Sequence, residues 1–236
     1  MVSAHAAWAS STGAVYSVNS MGYQQIAVPA SALNLGSVPY GHTSVGINDV
    51  IGPQLTPGPD VNSADIAYFF DSGSQIYKVC YLYDDGTNVY WVDNDSQAPA
   101  TNALLPGVGL WFRSRQATSQ TVIALGDVPS DATLTNAVVP GLQLLAYPYP
   151  VSVGISQLTI SNGATRGFSL DNADTLYVWN ASAQNFRIFY YYTDGSLVDY
   201  ATGDPATNVL QPGEAFWYKH VGSGFSWVEA KPYVWP

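Results

Sequence analysis

Short runs in which apolar and polar residues alternate follow one another along the whole chain, separated by Gly, Pro, Asn and Asp. Alternation with a period of two is typical of β-strands, whose successive side chains point to opposite faces of a sheet. We find no segment with the apolar spacing of an amphipathic helix, and we predict an all-β fold. The predicted strands are 15–19, 23–28, 64–70, 75–83, 87–93, 108–114, 120–125, 142–147, 174–179, 184–192, 196–201, 214–219 and 225–230.

Charged residues within these strands assign their faces. In the strand 75–83, Lys78 shares a face with Cys80 and Leu82. The opposite face carries Tyr77, Val79, Tyr81 and Tyr83. Because a charged side chain favours solvent, we predict that Lys78 marks the outer face and that the tyrosines point into the core. The same rule places Arg187 on the outer face of the strand 184–192.

Two tryptophans share a face with a cation in the same way. Trp111 alternates in step with Arg113, and Trp217 alternates in step with Lys219. Both indoles are therefore predicted on the outer face of their sheet. Either a long loop or another part of the chain covers them, or they form a surface that binds a second subunit or a sugar ring.

The second half of the chain repeats the first. Residues 64–69 reappear as 173–178, and Gln75 reappears as Gln184 at the same distance of 109 residues. Trp111 and the Pro-Gly pair before it return 106 residues later. Such ordered matches indicate a duplicated module, and its size suits a β-sandwich or a small barrel. We predict an N-terminal tail or assembly strand at 1–22, a first module at 23–128 and a second module at 129–236.

The two Asp-Gly pairs mark hairpin turns, because this pair tolerates the positive φ that such turns require. They lie at 84–86 and at 193–195, after strands that match in the two halves.

Composition narrows the function further. Hydrophobic residues make up 47% of the chain and charged residues only 10%, and the formal net charge is −10. This charge repels nucleic acid, so we predict no nucleic-acid partner. No apolar run approaches the length of about 18 residues that a membrane helix requires, so we predict no membrane span.

The residues that usually carry catalysis are scarce. The three histidines, His5, His42 and His220, lie beside no nucleophile elbow and share no metal-ligand spacing. Cys80 is flanked by apolar residues in a strand, as an inert buried thiol would be. Glu214 is one of only two glutamates. We therefore predict a protein that is not an enzyme and has no catalytic residue.

Aspartates gather in two turns that offer oxygen ligands. Asp93 and Asp95 form one group, and Asp171 and Asp174 form the other. Either group could hold Ca²⁺, but neither is a twelve-residue EF-hand loop, and turn formation explains both without a metal. We predict no metal and no cofactor.

The first residues include Ala4-His5-Ala6, which has the form of a signal-peptidase site. It is either the remnant of an export signal or an ordinary Ala-rich tail. The first interpretation places the protein outside the cell or on its surface.

Several segments resemble a large paralogous family of exported proteins that is abundant in Verrucomicrobia and related bacteria. They are 15–23, 26–30, 105–112 and 122–128. The resemblance implies export and a surface or extracellular location, and it transfers no site. The chain departs from the family at Val108 and Leu110, where glutamate and phenylalanine are commoner, and at Ala215, where a second glycine is expected.

These observations favour a secreted structural protein whose copies assemble into an extracellular fibre or surface layer. Val15, Tyr16 and Val18 alternate like a strand that could pair with a sheet edge of the next copy or within its own module. The alternative is a carbohydrate-binding or adhesin module that stacks sugars on exposed tryptophans, which could be Trp111, Trp217, Trp91 or Trp179.

Overall fold

The computed structural model describes residues 20–234. Val15, Tyr16 and Val18, with the predicted strand 15–19, lie outside this range. The described chain is built almost wholly from antiparallel strands, and none of its sheets closes into a barrel. The predicted all-β fold of two duplicated modules is therefore confirmed in its sandwich form.

Between residue 20 and the end of the first module at 128, the chain forms seven strands and one short helix. They are β1 (Met21–Val28), β2 (Leu33–Ser37), α1 (Ile47–Val50), β3 (Ile66–Asp71), β4 (Ile76–Asp84), β5 (Val89–Asp93), β6 (Gly109–Arg113) and β7 (Gln120–Asp127). The second half contains β8 (Thr133–Val138), β9 (Gly141–Ala146), β10 (Val153–Gly154), β11 (Thr175–Asn180), β12 (Asn185–Tyr191), β13 (Leu197–Asp199), β14 (Val209–Leu210), β15 (Ala215–His220) and β16 (Phe225–Ala230). Two 3₁₀ turns, Ile155–Gln157 and Thr159–Asn162, follow β10.

The two halves have the same topology. The five-stranded sheet of the first module has the order β2-β6-β3-β4-β5, and that of the second has the equivalent order β9-β15-β11-β12-β13. A two-stranded ribbon packs over each sheet, β1 with β7 in the first module and β8 with β16 in the second. Gly86 and Gly195 have φ values of 85° and 90° at the predicted hairpin turns.

Four strands escaped prediction: the two-residue strands β10 and β14, and the longer strands β2 and β8, whose sequences resemble loops. β2 contains Asn34 and Gly36, and β8 contains Asn136 between two threonines and an alanine. Glycine and asparagine, and to a lesser degree alanine, disfavour strands in isolation. Both strands form because a long-range partner, β6 or β16, supplies the hydrogen bonds.

The prediction that the tyrosine face of β4 points into the core is wrong. Cys80 and Leu82 are fully buried in the core of the first module, whereas Tyr77 on the opposite face is 44% exposed. Charged side chains occur on the core face because they lie where the sandwich opens to solvent. Arg187 of β12 forms an ion pair with Asp199 there, and its guanidinium carbon lies 5.2 Å from the centre of the Phe189 ring.

One buried aspartate anchors each module. Asp174 accepts hydrogen bonds from the backbone N–H groups of Thr165 (3.0 Å) and Val221 (2.9 Å). It thereby ties the loop before β11 to the end of β15. The matching residue Asp65 makes the equivalent bonds with the backbone of Thr56 and Arg115 in the first module. Backbone groups that would otherwise be buried without partners are satisfied in this way.

The Asp174 carboxylate also binds two side chains of β15. The Tyr218 hydroxyl donates to it at 2.6 Å, and burial raises the pKa of Tyr218, which keeps this donor protonated. His220 places Nδ1 at 2.7 Å from Asp174 and Nε2 at 2.7 Å from the Ser223 carbonyl oxygen. The fully buried imidazole is thus held between the Asp174 carboxylate and the Ser223 backbone.

Replacing Asp174 with asparagine is expected to destabilise the protein by about 3 kcal/mol, because an amide N–H₂ would face the Tyr218 hydroxyl and two backbone N–H groups, and buried donors would lose their acceptor. Urea unfolding followed by tryptophan fluorescence measures the change. Asp171→Asn, an exposed position three residues earlier, is the control and should change the free energy of unfolding by less than about 0.5 kcal/mol. Equal stabilities for the two variants would show that Asp174 is no anchor.

Candidate functional site

The outer faces of the two five-stranded sheets meet at a junction rich in aromatic rings. Trp111 of β6 packs edge-on against Trp179 and Phe186 of the second module, with ring centroids 4.9 Å and 6.1 Å apart. Small and aliphatic side chains from both modules, including Leu35 and Leu144, fill the space between the sheets. The other module therefore covers the outer face on which Trp111 lies.

Trp217 of the second module makes the equivalent contacts with the first module. Its ring centroid lies 4.6 Å from that of Phe70 and 6.1 Å from that of Tyr77, both in the first module. Phe70 and Tyr77 occupy the positions that match Trp179 and Phe186 in the repeat. Each module thus gives one tryptophan to the other and receives one, as in a symmetric dimer with a twofold axis.

Two glutamines fasten the junction at its edges. Gln184 accepts a hydrogen bond from the backbone N–H of Leu33 (3.2 Å) and donates one to its carbonyl oxygen (3.0 Å). Gln75 makes the same pair of bonds with Leu142, both at 3.0 Å. Each side-chain amide therefore acts as one more residue of a β-ladder along the edge of β2 or β9. We call this pair the glutamine clasp.

The hairpin that carries each glutamine explains its orientation. Asp71 accepts hydrogen bonds from the N–H groups of Gly73 and Ser74, which closes an Asx turn. The turn ends at Gln75, whose φ of 57° aims its side chain at the neighbouring module. Asn180 and Gln184 repeat this geometry in the second module, where φ of Gln184 is 51°. The match of Gln75 with Gln184 in the repeat was the available signal, but spacing alone does not reveal what a loop amide binds.

Backbone hydrogen bonds also cross the junction. The N–H of Ser37 donates to the Gly213 carbonyl at 2.8 Å, and the N–H of Ala146 donates to the Gly107 carbonyl at 3.0 Å. These bonds again relate matching positions of the two modules. Backbone hydrogen bonds, the glutamine clasp and aromatic packing consequently join the two five-stranded sheets.

The aromatic packing leaves one groove open at the junction, with a volume of about 610 Å³. This size suits a small organic ligand. Its walls come from both modules, and one cation lies among otherwise uncharged side chains. The lining residues are Leu33, Tyr68, Tyr77, Val79, Trp111, Arg113, Trp179 and Phe186. We call it the junction groove.

The tryptophans considered for sugar stacking differ in exposure. Trp91 is fully buried, and Trp111 and Trp217 are 6% and 8% exposed. Trp179 is the one of these four that is only partly buried, and its indole N–H donates to the Leu33 carbonyl. A sugar ring would therefore reach Trp179 more readily than the two tryptophans that the sequence singled out.

The acidic and histidine side chains do not gather at one place. Glu214 precedes β15 and His220 ends it, which separates them by about 20 Å at the rise of a strand. Glu229 accepts hydrogen bonds from the Thr159 backbone and the Trp227 indole. Within residues 20–234, no group of three or more His, Cys, Asp or Glu side chains is placed to hold a metal ion.

The aspartate turns are explained by local bonding. Asp93 accepts hydrogen bonds from the backbone N–H groups of Asp95 and Ser96, and the bond from Ser96 does most to hold its pKa below the usual value. Asp174 is the buried anchor described above, while Asp171 is exposed. In each of the two groups considered for Ca²⁺, a carboxylate thus accepts hydrogen bonds from backbone N–H groups.

Comparison with known proteins gives no match, whether with family models, with curated proteins or with solved structures. Across the described residues, no helix has the length and apolar character to span a membrane.

Replacing Gln184 with alanine is expected to lower the free energy of unfolding by about 1–2 kcal/mol, because two hydrogen bonds between the modules are lost. Gln97→Ala is the matched control for losing an amide that joins no second module. Gln97 also has a φ of 57° after an Asx turn, but it bonds within the first module, to Asn94 and Tyr81. Chemical denaturation of Gln184→Ala, Gln75→Ala and the double variant measures the effect. The prediction fails if the double variant is as stable as the unmodified protein.

Cys80 is expected to be unreactive in the folded protein. Burial raises the pKa of its thiol to about 12, so the thiolate fraction at pH 8 is on the order of 10⁻⁴. A thiol reagent such as DTNB should therefore label less than a tenth of the protein during the time in which the urea-unfolded chain reacts fully. Rapid labelling of the native protein would contradict this burial.

Proposed function

We propose that this chain is an exported, non-enzymatic structural protein whose copies associate into a larger extracellular or surface assembly. The observation that carries the proposal is an apolar outer face on the ribbon of β1 and β7. Its inner face packs into the core through side chains such as Ile26 and Val122. Its outer face presents large apolar side chains to solvent, where a monomer would gain nothing from them.

The exposed side chains form one patch, because cross-strand register brings them together. Tyr23 lies directly opposite Leu125, and Gln25 lies opposite Ile123. Tyr23 is 70% exposed, Leu125 is 56% exposed and Ile123 is 41% exposed. Met21, on the same face, is 67% exposed. Contiguous apolar surface of this kind typically marks a contact with another protein.

The second module shows that the fold does not require this patch. Its ribbon ends with the pair Val138–Phe225, as the first ends with Val28–Gln120. Counted from these ends, Thr133 and Ala230 occupy the positions of Tyr23 and Leu125, and Thr135 and Val228 occupy those of Gln25 and Ile123. The small residues Thr133 and Ala230 show that the fold does not need Tyr23 and Leu125, whereas Val228, 43% exposed, keeps an apolar side chain at the position of Ile123. The large apolar residues on the first ribbon therefore serve something other than folding.

This difference makes the two ends of the molecule unlike each other. The junction between modules already uses a twofold arrangement, which closes on itself. An apolar patch on one end alone can meet the same patch of a second copy, which closes a twofold dimer, or a different surface of that copy, and we propose the second arrangement. Contacts between different surfaces extend into chains or sheets of subunits unless a rotation closes a ring.

The patch, rather than a strand edge, is the surface that we expect to be used. The amide of Gln54 bonds both the N–H and the carbonyl of Ile123 on the free edge of β7. On the free edge of β5, Asn48 accepts from the Trp91 N–H and donates to its carbonyl. Polar side chains thus occupy backbone groups that strand addition would need.

The Tyr23→Thr and Leu125→Thr double variant is expected to remain unassembled under conditions in which the unmodified protein forms species larger than dimers. Both side chains are exposed, so stability should change by less than about 0.5 kcal/mol per site. Val209→Thr removes another apolar side chain, 52% exposed, and is the control that should assemble normally.

Sedimentation velocity and negative-stain electron microscopy measure assembly over a range of protein and salt concentrations. Salt should favour association, because it screens the repulsion between copies with a net charge of −10. An unmodified protein that stays monomeric or dimeric throughout would contradict the proposal, as would a double variant that assembles like the control.

A further inference from the structure

The junction groove holds a cation that the protein itself does not use. Within residues 20–234, the guanidinium of Arg113 has no hydrogen-bond or ion-pair partner, and its side chain is exposed at the groove. The matching residue of the second module, Lys219, donates from Nζ to the Leu170 carbonyl at 3.1 Å. The same position in the fold is therefore engaged in one module and free in the other.

A neighbouring arginine explains how Arg113 became free. The first-module position that matches Leu170 is Val61, and its carbonyl accepts a hydrogen bond from Nη2 of Arg115 at 2.9 Å. Arg115 thus holds the loop that Lys219 holds in the second module. Arg113 therefore holds no loop of its own module. Its side chain lines the groove together with five aromatic rings.

The rest of the groove decides what a ligand of Arg113 must look like. Apart from Arg113, the lining offers only aromatic and aliphatic surface with two tyrosine hydroxyls and two indole N–H groups. Both N–H groups are already engaged, that of Trp179 with the Leu33 carbonyl and that of Trp111 with the Tyr77 side chain. A sugar ring would lose water from several hydroxyls with few partners to replace it. A flat aromatic ring has no hydroxyl groups that must lose their water, and it packs well against Trp and Phe.

We propose that the junction groove binds a small aromatic carboxylate, with the ring between the aromatic side chains of the two modules and the carboxylate on Arg113. A guanidinium and a carboxylate form two parallel charge-assisted hydrogen bonds, which fixes the orientation of the ring. Trp179 and Phe186 belong to one module and Tyr68 and Tyr77 to the other. The bound ligand therefore contacts both modules and stabilises their junction.

Isothermal titration calorimetry with 2-naphthoate and the uncharged 2-naphthylmethanol tests the proposal. The unmodified protein should bind 2-naphthoate at least tenfold more tightly than the alcohol. Arg113→Gln should remove this preference, while Lys219→Gln, at the matching position of the other module, should keep it. Arg113 is exposed, so its replacement should leave the fold intact, which circular dichroism checks.

A second variant tests the aromatic wall. Trp179→Leu should weaken both compounds tenfold or more without changing the ratio of their affinities. Equal affinity for the acid and the alcohol in the unmodified protein would overturn the proposal. It would also fail if Arg113→Gln kept the preference, or if polygalacturonate bound at this arginine while 2-naphthoate did not.

Discussion

The structure depends on burying the second face of each five-stranded sheet. One face of each sheet is covered by its own ribbon and loops, but the other carries Trp111 or Trp217 together with tyrosines and aliphatic residues. Burying a tryptophan removes 150–250 Å² from water, worth about 4–6 kcal/mol at 25 cal/mol per Å². A single module would leave this surface exposed, so the two modules are required together.

Duplication provides this cover directly, because a module that is complementary to its own copy buries its second sheet face against that copy. The exchange of Trp111 and Trp217 and the clasp of Gln75 and Gln184 both follow a twofold relation. Once two modules are joined in one chain, their matching positions are free to diverge. Divergence is visible where Arg113 faces the groove while Lys219 holds a loop. It is also visible on the ribbons, where Tyr23 and Leu125 of the first match Thr133 and Ala230 of the second.

Sequence patterns predicted most strands, the hairpin turns and the repeat, because each depends on residues near one another along the chain. The faces of β4 and β12 were assigned wrongly for a specific reason. Alternation identifies an outer face only when one side of a sheet is solvated, and here both sides are apolar. Lys78 and Arg187 then mark the open end of a sandwich instead of a solvated face.

By itself the sequence determined the class of the fold, the number of modules and the scarcity of catalytic groups, since these follow from period, repetition and residue types. Only the tertiary structure decided which surfaces remain free. Trp111 is 6% exposed although it shares its face with Arg113, and Gln75 bonds Leu142, 67 residues away. Such outcomes depend on how one module lies against the other, and no local pattern in the chain encodes that placement.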